Sequence, residues 1–424
     1  MPVRTTFFLL PLVVFASAVV AAPATGAPPP WWIDPGDVPL PEWAKSVEII
    51  RDDEPLQASP GGSRRGLIAA GVRLPLLGAT RAPGCLSRWL LVGPLAYVCQ
   101  DKVKLSEEPP GVAATIHPEP KDALPFKYWF VGSNGAEAYG SVREAEDETP
   151  LEQLDRGWSI AGVSETVHRG TTYVVTRRGR LVPRSQLGAI VASAFRGEEL
   201  DAEPGAPIGV GWILPEKANV VADPSKPGAK AAGTRTRLST IAIAERKTIG
   251  KVEWLRIGDA EWIRASDARV PVLAARPAEV APAARWIDVD TATQTLVAYE
   301  GDRPVFATVV STGRAATPTP RGVFKIWVKL RTAKMSNADD RDLPEDGSSY
   351  SIEDVPWVQY FSNGIALHGA FWHRRFGHPH SHGCVNLAPL DAMRLFGWTT
   401  PRLPRGWDAA FPTAAEASTV VRVR

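Results

Sequence analysis

Cys384 is the odd one of three cysteines, and five of the seven histidines fall just before it: His368, His373, His378, His380 and His382. Thiol and imidazole side chains this close together have three readings. The first is zinc, because both groups are common ligands. His380, His382 and Cys384 alternate, so one strand would point all three the same way, but no Cys-x-x-Cys or helical His-x-x-x-His pair accompanies them. The second is a set of surface histidines without a role, which fits His373, His378 and His380 best. The third is a thiol nucleophile with an imidazole base. A free thiol has a pKa of about 8.5, so it needs such a partner to react at neutral pH. Ser381-His382-Gly383-Cys384-Val385-Asn386 suits this role. Gly383 lets the chain turn sharply before the sulfur. Amides around Cys384 can face a developing oxyanion, and a helix starting near Pro389 would bring its positive end towards the sulfur.

These residues need a β scaffold. Ile287–Asp290, Thr295–Tyr299, Val305–Val310 and Gly322–Val328 are β-branched, partly alternating runs split by turn residues such as Glu300-Gly301-Asp302. Thr419–Val423 alternates in the same way and supplies a closing strand. The one convincing helix is Pro389–Phe396, with proline in its first turn and Gly397 at its end. Ala388 stands where serine or threonine would cap it. Residues 331–349 carry Asp339, Asp340, Asp342, Glu345 and Asp346 and read as an acidic loop beside the site, either a lid or a solvated excursion.

His368-Gly369 followed by Ser381-His382-Gly383-Cys384-Val385-Asn386 resembles the signature of the L,D-transpeptidase catalytic domain of the YkuD type. Ser311-Thr312-Gly313 with Thr319-Pro320-Arg321-Gly322-Val323-Phe324, and Gly364 to Ala370, resemble its flanking strands. The resemblance implies a β-sandwich and thiol acyl transfer. Cys384 matches the nucleophile, His368 the base, and Gly369 the residue whose carbonyl orients that base. His382, Gly383 and Cys384 match the oxyanion amides, with Ser381 and Asn386 supporting the loop. Tyr350, Trp357 and Trp372 are candidates for the substrate pocket, as is Tyr360; the alternative is a loop aromatic for Tyr350 and core packing for the other three. The implied partner is a peptidoglycan stem peptide, attacked at its third residue with loss of D-alanine. The acceptor is a diaminopimelate amine, an outer-membrane lipoprotein, a D-amino acid or water. Neither cofactor nor metal is implied. The rival readings are a hydrolase of the same fold and a catalytically idle wall-binding protein.

At 424 residues the chain holds several domains. Its 39 prolines and 36 glycines favour short strands and turns. A formal net charge of +2 gives no electrostatic reason to expect nucleic acid. Residues 1–26 read as a secretory signal peptide, with one arginine, an apolar run from Phe7 to Val20 and a small-residue exit. With that segment removed no membrane span is expected, and the protein is placed in the periplasm or cell envelope. That compartment permits a disulfide, and Cys85 and Cys99 are close enough in sequence to form one. Residues 27–44 are a Pro-rich lead-in and 271–285 an Ala/Pro linker to a catalytic domain at 286–424.

A weak repeat fills the middle. Trp89–Gly93 precedes Tyr97-Val98, Trp254–Gly258 precedes Trp262-Ile263, and Tyr173–Thr176 precedes Leu181-Val182 as a looser copy. Units around 45–110, 121–190 and 206–270 resemble bacterial SH3-like domains whose aromatics fill a core or line a groove. The expected fold is therefore mostly β: a sandwich with one or two short helices, preceded by two or three small SH3-like barrels.

Overall fold

The computed structural model describes residues 36, 38–114, 116–117, 119–226, 231–336 and 350–424. The signal-peptide reading (1–26), most of the Pro-rich lead-in and most of the acidic segment lie outside them. The described part of that segment, 331–336, is strand rather than loop, because it continues a long hairpin arm.

The protein is mostly β. Three N-terminal modules end alike: a hairpin, a single 3-10 turn, and a short final strand. The hairpins are Trp89–Gly93 with Ala96–Cys99, Thr171–Thr176 with Leu181–Pro183, and Val252–Gly258 with Glu261–Arg264. The turns are Gln100–Lys102, Arg184–Gln186 and Ala265–Asp267. Each module buries its own apolar cluster, around Val47 and Leu90, around Trp129 and Ile160, and around Ile213 and Leu255 respectively. Cys85 and Cys99 are joined in the first, with an S–S distance of 2.07 Å.

In the catalytic region we label the strands β1 (Arg285–Asp290), β2 (Thr295–Glu300), β3 (Arg303–Val309), β4 (Gly322–Lys325), β5 (Val328–Ser336), β6 (Ser351–Ser362), β7 (Ile365–Gly369), β8 (Val385–Leu387), β9 (Ala409–Ala410) and β10 (Val420–Val423). One sheet runs β3-β2-β1-β10-β4, with β10 parallel to β1. The other contains β5-β6-β7-β8. Between them lies one core: Ile287 and Val289 from β1, Leu296 and Ala298 from β2, and Leu367, Val385 and Leu387 from β7 and β8. The helix Pro389–Trp398 adds Ala392, Leu395 and Phe396 to that core.

The outer face of the first sheet is also covered. Trp286, Val297, Tyr299 and Val309 pack there against Trp212 and Ile208 of the third module. Burial on both faces is why β2 reads as a nearly continuous apolar run. The one carboxylate buried in the middle of β1, Asp288, is paired with Arg422 at 2.7 Å and Arg424 at 2.9 Å.

Three expectations need correction. The Ala/Pro segment 271–285 is strapped to the catalytic sheet: Val280 is buried, Tyr299 Oη accepts from Ala274 N at 3.1 Å, and Arg422 donates to Ala275 O at 2.8 Å. The helix runs through Gly397 to Trp398, where the Lys329 ammonium caps the carbonyls of Phe396 and Thr399 at 2.5 and 3.0 Å. The domain limits also interlock. Glu198 and Glu199, ahead of the third module, pair with β3. β9 pairs with Gly66 and Leu67 of the first module, and β6 touches the second through Ser159 and Ile352.

Candidate active site

β7 and β8 are parallel neighbours with His368 opposite Asn386 in register, so Cys384, just ahead of β8, lies at the same end of the pair as Leu367 and Ala366. His368 is buried, and its Nδ1 lies 3.3 Å from Gly369 O. A carbonyl only accepts, so Nδ1 carries the ring proton and Nε2 is left as the basic lone pair. Trp372 stacks on the imidazole with 5.6 Å between ring centroids. Burial pushes the His368 pKa down to about 4 and the Cys384 thiol up, the latter opposed by the N–H of Ala366. Both charged forms are disfavoured by the same desolvation. The resting pair is therefore neutral thiol and neutral imidazole, not a preformed ion pair. The thiol donates to Gly364 O at 3.8 Å and makes no hydrogen bond to His368 in this state. Such bonds commonly tighten only when substrate arrives.

The loop before the sulfur is held from several sides. Ser381 Oγ donates to Cys384 O and accepts from Gly383 N at 3.1 Å. Gly383 has a positive φ of 119°, where a side chain would be strained. Thr319 Oγ1 donates to Gly383 O at 2.7 Å while accepting from Gly313 N at 2.9 Å. Arg314 reaches the loop from the same segment, its N–H to Ser381 O and its Nε to His380 O, at 3.0 and 3.1 Å. Ser311 and Asn386 exchange both backbone bonds, at 3.0 and 2.9 Å. The Ser311–Phe324 stretch is thus a clamp on the Cys384 loop. Nothing local in the sequence marks Thr319 and Arg314 for this; only the fold brings them back.

Two roles expected of the loop are redistributed. The Gly383 N–H is occupied by Ser381 Oγ, so it is not open to an oxyanion in this state. The amides of His382 and Cys384 take part in no turn or loop hydrogen bond among the described residues and remain available. The positive end of the helix is not at the sulfur, since all of β8 intervenes between Cys384 and Pro389. A helix dipole fades within its first turn. Its first-turn carboxylate, Asp391, serves instead to accept from Thr308 Oγ1 and Gly197 N, and burial raises its pKa to about 7.

A cavity of about 590 Å³ holds Cys384, His368, Ser381, His382 and Asn386 together with Tyr350, Tyr360 and Trp372. Tyr350 stacks on the exposed His382 at 5.3 Å. Trp357, a candidate for the same wall, is elsewhere: it is buried in the sandwich core, with Nε1 donating to Ala123 O at 2.7 Å. Phe130 and Gly157, which no motif marks for this place, come from the second module and close one side of the cavity.

His373 sits behind this wall with its pKa lowered to about 3, first by burial and then by His380. Its Nδ1 accepts from Arg375 N at 3.1 Å, and the Asn386 side-chain amide lies 2.8 Å from its Nε2. A backbone N–H only donates, so Nε2 carries the proton and the Asn386 carbonyl oxygen must be the atom that faces it. Asn386 thereby ties β8 to the loop at 372–380. The third module grips the same loop: Arg237 donates to Phe376 O at 2.8 Å and Arg269 to Gly377 O at 3.1 Å. Among the described residues, Cys85, Cys99 and Asp101 are the group with metal-type ligand atoms within 4.8 Å of one another, and their two sulfurs are bonded together. His380, His382 and Cys384 form no such group.

The family model for the L,D-transpeptidase catalytic domain, YkuD, matches residues 284–420. No curated protein matches the chain. Among solved structures, a cysteine-to-serine mutant of Enterococcus faecium L,D-transpeptidase is 25% identical over 33% of this chain and 49% of its own, with a TM-score of 0.25. The catalytic domain of the E. faecium enzyme is 26% identical over 34% of this chain and 98% of its own, with a TM-score of 0.26. An L,D-transpeptidase from Stackebrandtia nassauensis is 27% identical over 34% and 58%, with a TM-score of 0.23. The match spans about half the length of the first of these proteins.

Proposed function

We propose that the protein is a cysteine acyltransferase that remodels peptidoglycan, an L,D-transpeptidase with Cys384 as nucleophile and His368 as base. The observation that carries this is the paired placement of Cys384 and His368 at adjoining strands in one cavity, with Gly369 O holding Nδ1 and leaving Nε2 for the thiol proton. The match of residues 284–420 to the catalytic-domain model supports the same reading. As substrate approaches, the thiol turns from Gly364 O towards His368, gives up its proton to Nε2, and attacks the carbonyl of the third stem residue. The amides of His382 and Cys384 receive the oxyanion. The imidazolium then protonates the departing D-alanine, leaving a thioester. An amine, from another stem peptide or from an outer-membrane lipoprotein, resolves it.

On this reading the protein works outside the cytoplasm, in the periplasm or cell envelope, where the Cys85–Cys99 bond is expected to persist. Among the described residues no helix is long and apolar enough to cross a membrane. The three repeated modules act as SH3-like spacers, and the second also walls the cleft. The test is intact-protein mass after incubation with a carbapenem, beside a muropeptide assay. Wild type gains one covalent adduct and crosslinks tetrapeptide donors; Cys384→Ala does neither. An adduct of equal yield on Cys384→Ala would remove the proposal, and products of water attack alone would turn it towards a hydrolase.

A further inference from the structure

We propose that the second module shapes the wall of the substrate cleft, with Arg180 as a positioning residue that acts through a bulge in β6. The inference rests on the acyltransferase reading above and goes beyond it, giving a task in that reaction to a module with no chemistry of its own. β5 and β6 pair antiparallel. Met335 and Ser336 on the first and Ile352 on the second line the cavity of Cys384 and His368, as does Tyr350 just ahead of β6.

The pairing of these two strands is uneven. Ala333 faces Val355 and Met335 faces Ile352, so Glu353 and Asp354 together oppose Lys334 alone. The extra residue bends β6 and re-aims the side chains beyond it. Asp354 takes the left-handed conformation, with a φ of 48°. A residue other than glycine keeps that shape only where its surroundings fix it.

The second module supplies those surroundings. Arg180 donates to Glu353 and also to Glu152 of its own module, and the N–H of Ala161 donates to the Glu353 carboxylate. The Arg180 and Glu353 side chains are only 10% and 12% exposed, so their attraction is little screened. Arg177 donates to Asp354 Oδ1 at 3.3 Å, and Tyr128 Oη donates to Asp354 O at 2.6 Å. From β5, Thr332 Oγ1 adds a bond of 2.9 Å to the same carboxylate oxygen. Both side chains of the bulge and one of its carbonyls are thus held, mostly from one module. The grip continues to the cleft: Ser159, two residues after Gly157 of the cavity wall, bridges Ile352 in parallel.

Without Arg180 the Glu353 carboxylate would be a buried charge short of its partner, and the bulge would open to hydrate it. Ile352 and Tyr350 would then lose their aim. His368 is out of reach of this change, because β7 pairs with the other end of β6, at Gln359 to Ser362. The loss therefore falls on the grip on the donor peptide and not on proton transfer.

The test is steady-state release of D-alanine from a tetrapeptide donor, with active protein counted by its carbapenem adduct. Arg180→Ala should raise KM about tenfold while kcat per active site changes less than about twofold, the pattern of binding lost equally from ground and transition states. Arg180→Lys keeps the charge and should recover part of the loss. Adding Glu353→Gln to Arg180→Ala should raise KM little further, because the pair acts as a unit. An unchanged KM in folded Arg180→Ala overturns the proposal. So does a loss confined to the count of active protein, which is what a merely structural role would give. If Arg180→Ala does not fold, Glu353→Gln alone decides: KM must rise with kcat held, and an unmoved KM overturns the proposal. A wild type that takes up no carbapenem loses the enzyme reading and the positioning role with it. A wild type that is acylated, but whose KM ignores the pair, loses only the positioning role.

Discussion

The first and third modules hold the catalytic region in different ways, and the difference separates stability from positioning. Trp407, just before β9, is buried in the first module's own core, beside Val47, Leu56 and Val98. It lies over Gly66, where an added Cβ would come within 2.6 Å of the indole. That contact is apolar and joins the first module to the far end of the β5-β6 sheet. The third module also buries Trp212 against the catalytic sheet. Its grip on the loop beside the active site, however, consists of two guanidinium groups donating to the carbonyls of Phe376 and Gly377. An indole in a core contributes by area and shape. A guanidinium on a carbonyl contributes less energy and more direction.

Trp407→Ala should therefore have the largest effect on stability. Emptying a core of an indole costs about 3–5 kcal/mol. Urea unfolding should show a transition displaced by that amount, and the carbapenem adduct should still form on whatever protein remains folded. A midpoint equal to wild type would mean that the first module is only resting against Trp407, and the contrast between the two seats would disappear.

Arg237→Ala with Arg269→Ala should cost less, about 1–3 kcal/mol for two lost bonds whose carbonyls can in part find water. Its distinctive effect is on the loop. His373 owes its pKa of about 3 chiefly to burial, with His380, His368 and Arg375 adding to it. Releasing the loop hydrates the ring, so the pKa should climb towards the ordinary value of about 6.5. Histidine NMR titration reads this directly. A His373 pKa that stays put would show that Asn386 and the tilted ring contact with Phe376 suffice to hold the loop.

The parts legible in the sequence are those whose chemistry is local. Cys384, His368 and Gly369 stand in a motif where neighbouring residues supply the turn, the loop support and the orienting carbonyl. Strand runs such as Thr295–Glu300 were legible because a short apolar run bounded by turn residues is a local property. What was not legible depends on return contacts. Thr319 and Arg314 reach the nucleophile loop only after the chain has doubled back, and Phe130 enters the cleft from a module more than two hundred residues away in sequence. Trp357 misled for the same reason: a tryptophan near a site looks like a wall until the partner of its Nε1, Ala123 O, is known. The helix dipole misled through distance, since a strand three residues long suffices to remove it from the sulfur.

The smallest expected change is also the most discriminating, because it is the absence of one. His368 is anchored by β7 and by Gly369 O, and the loop that the third module holds touches its ring through the stacked Trp372. Its pKa lies at about 4 because burial opposes the charged ring. Imidazolium cannot accept the thiol proton. The acylation rate should therefore hold steady as pH falls from neutrality through 6.5, the ordinary histidine value, and decline only near 4. The sign follows from a depressed folded-state pKa: the neutral base persists well below the pH at which a solvated histidine would be lost. Carrying the measurement into the Arg237→Ala, Arg269→Ala protein sharpens the comparison. There His373 should titrate higher while the acid limb of acylation remains near 4. A limb at about 6.5 in wild type would mean that His368 is solvated in the working enzyme. A limb that moves together with His373 would mean that the loop, and through it the third module, sets the basicity of the His368 imidazole.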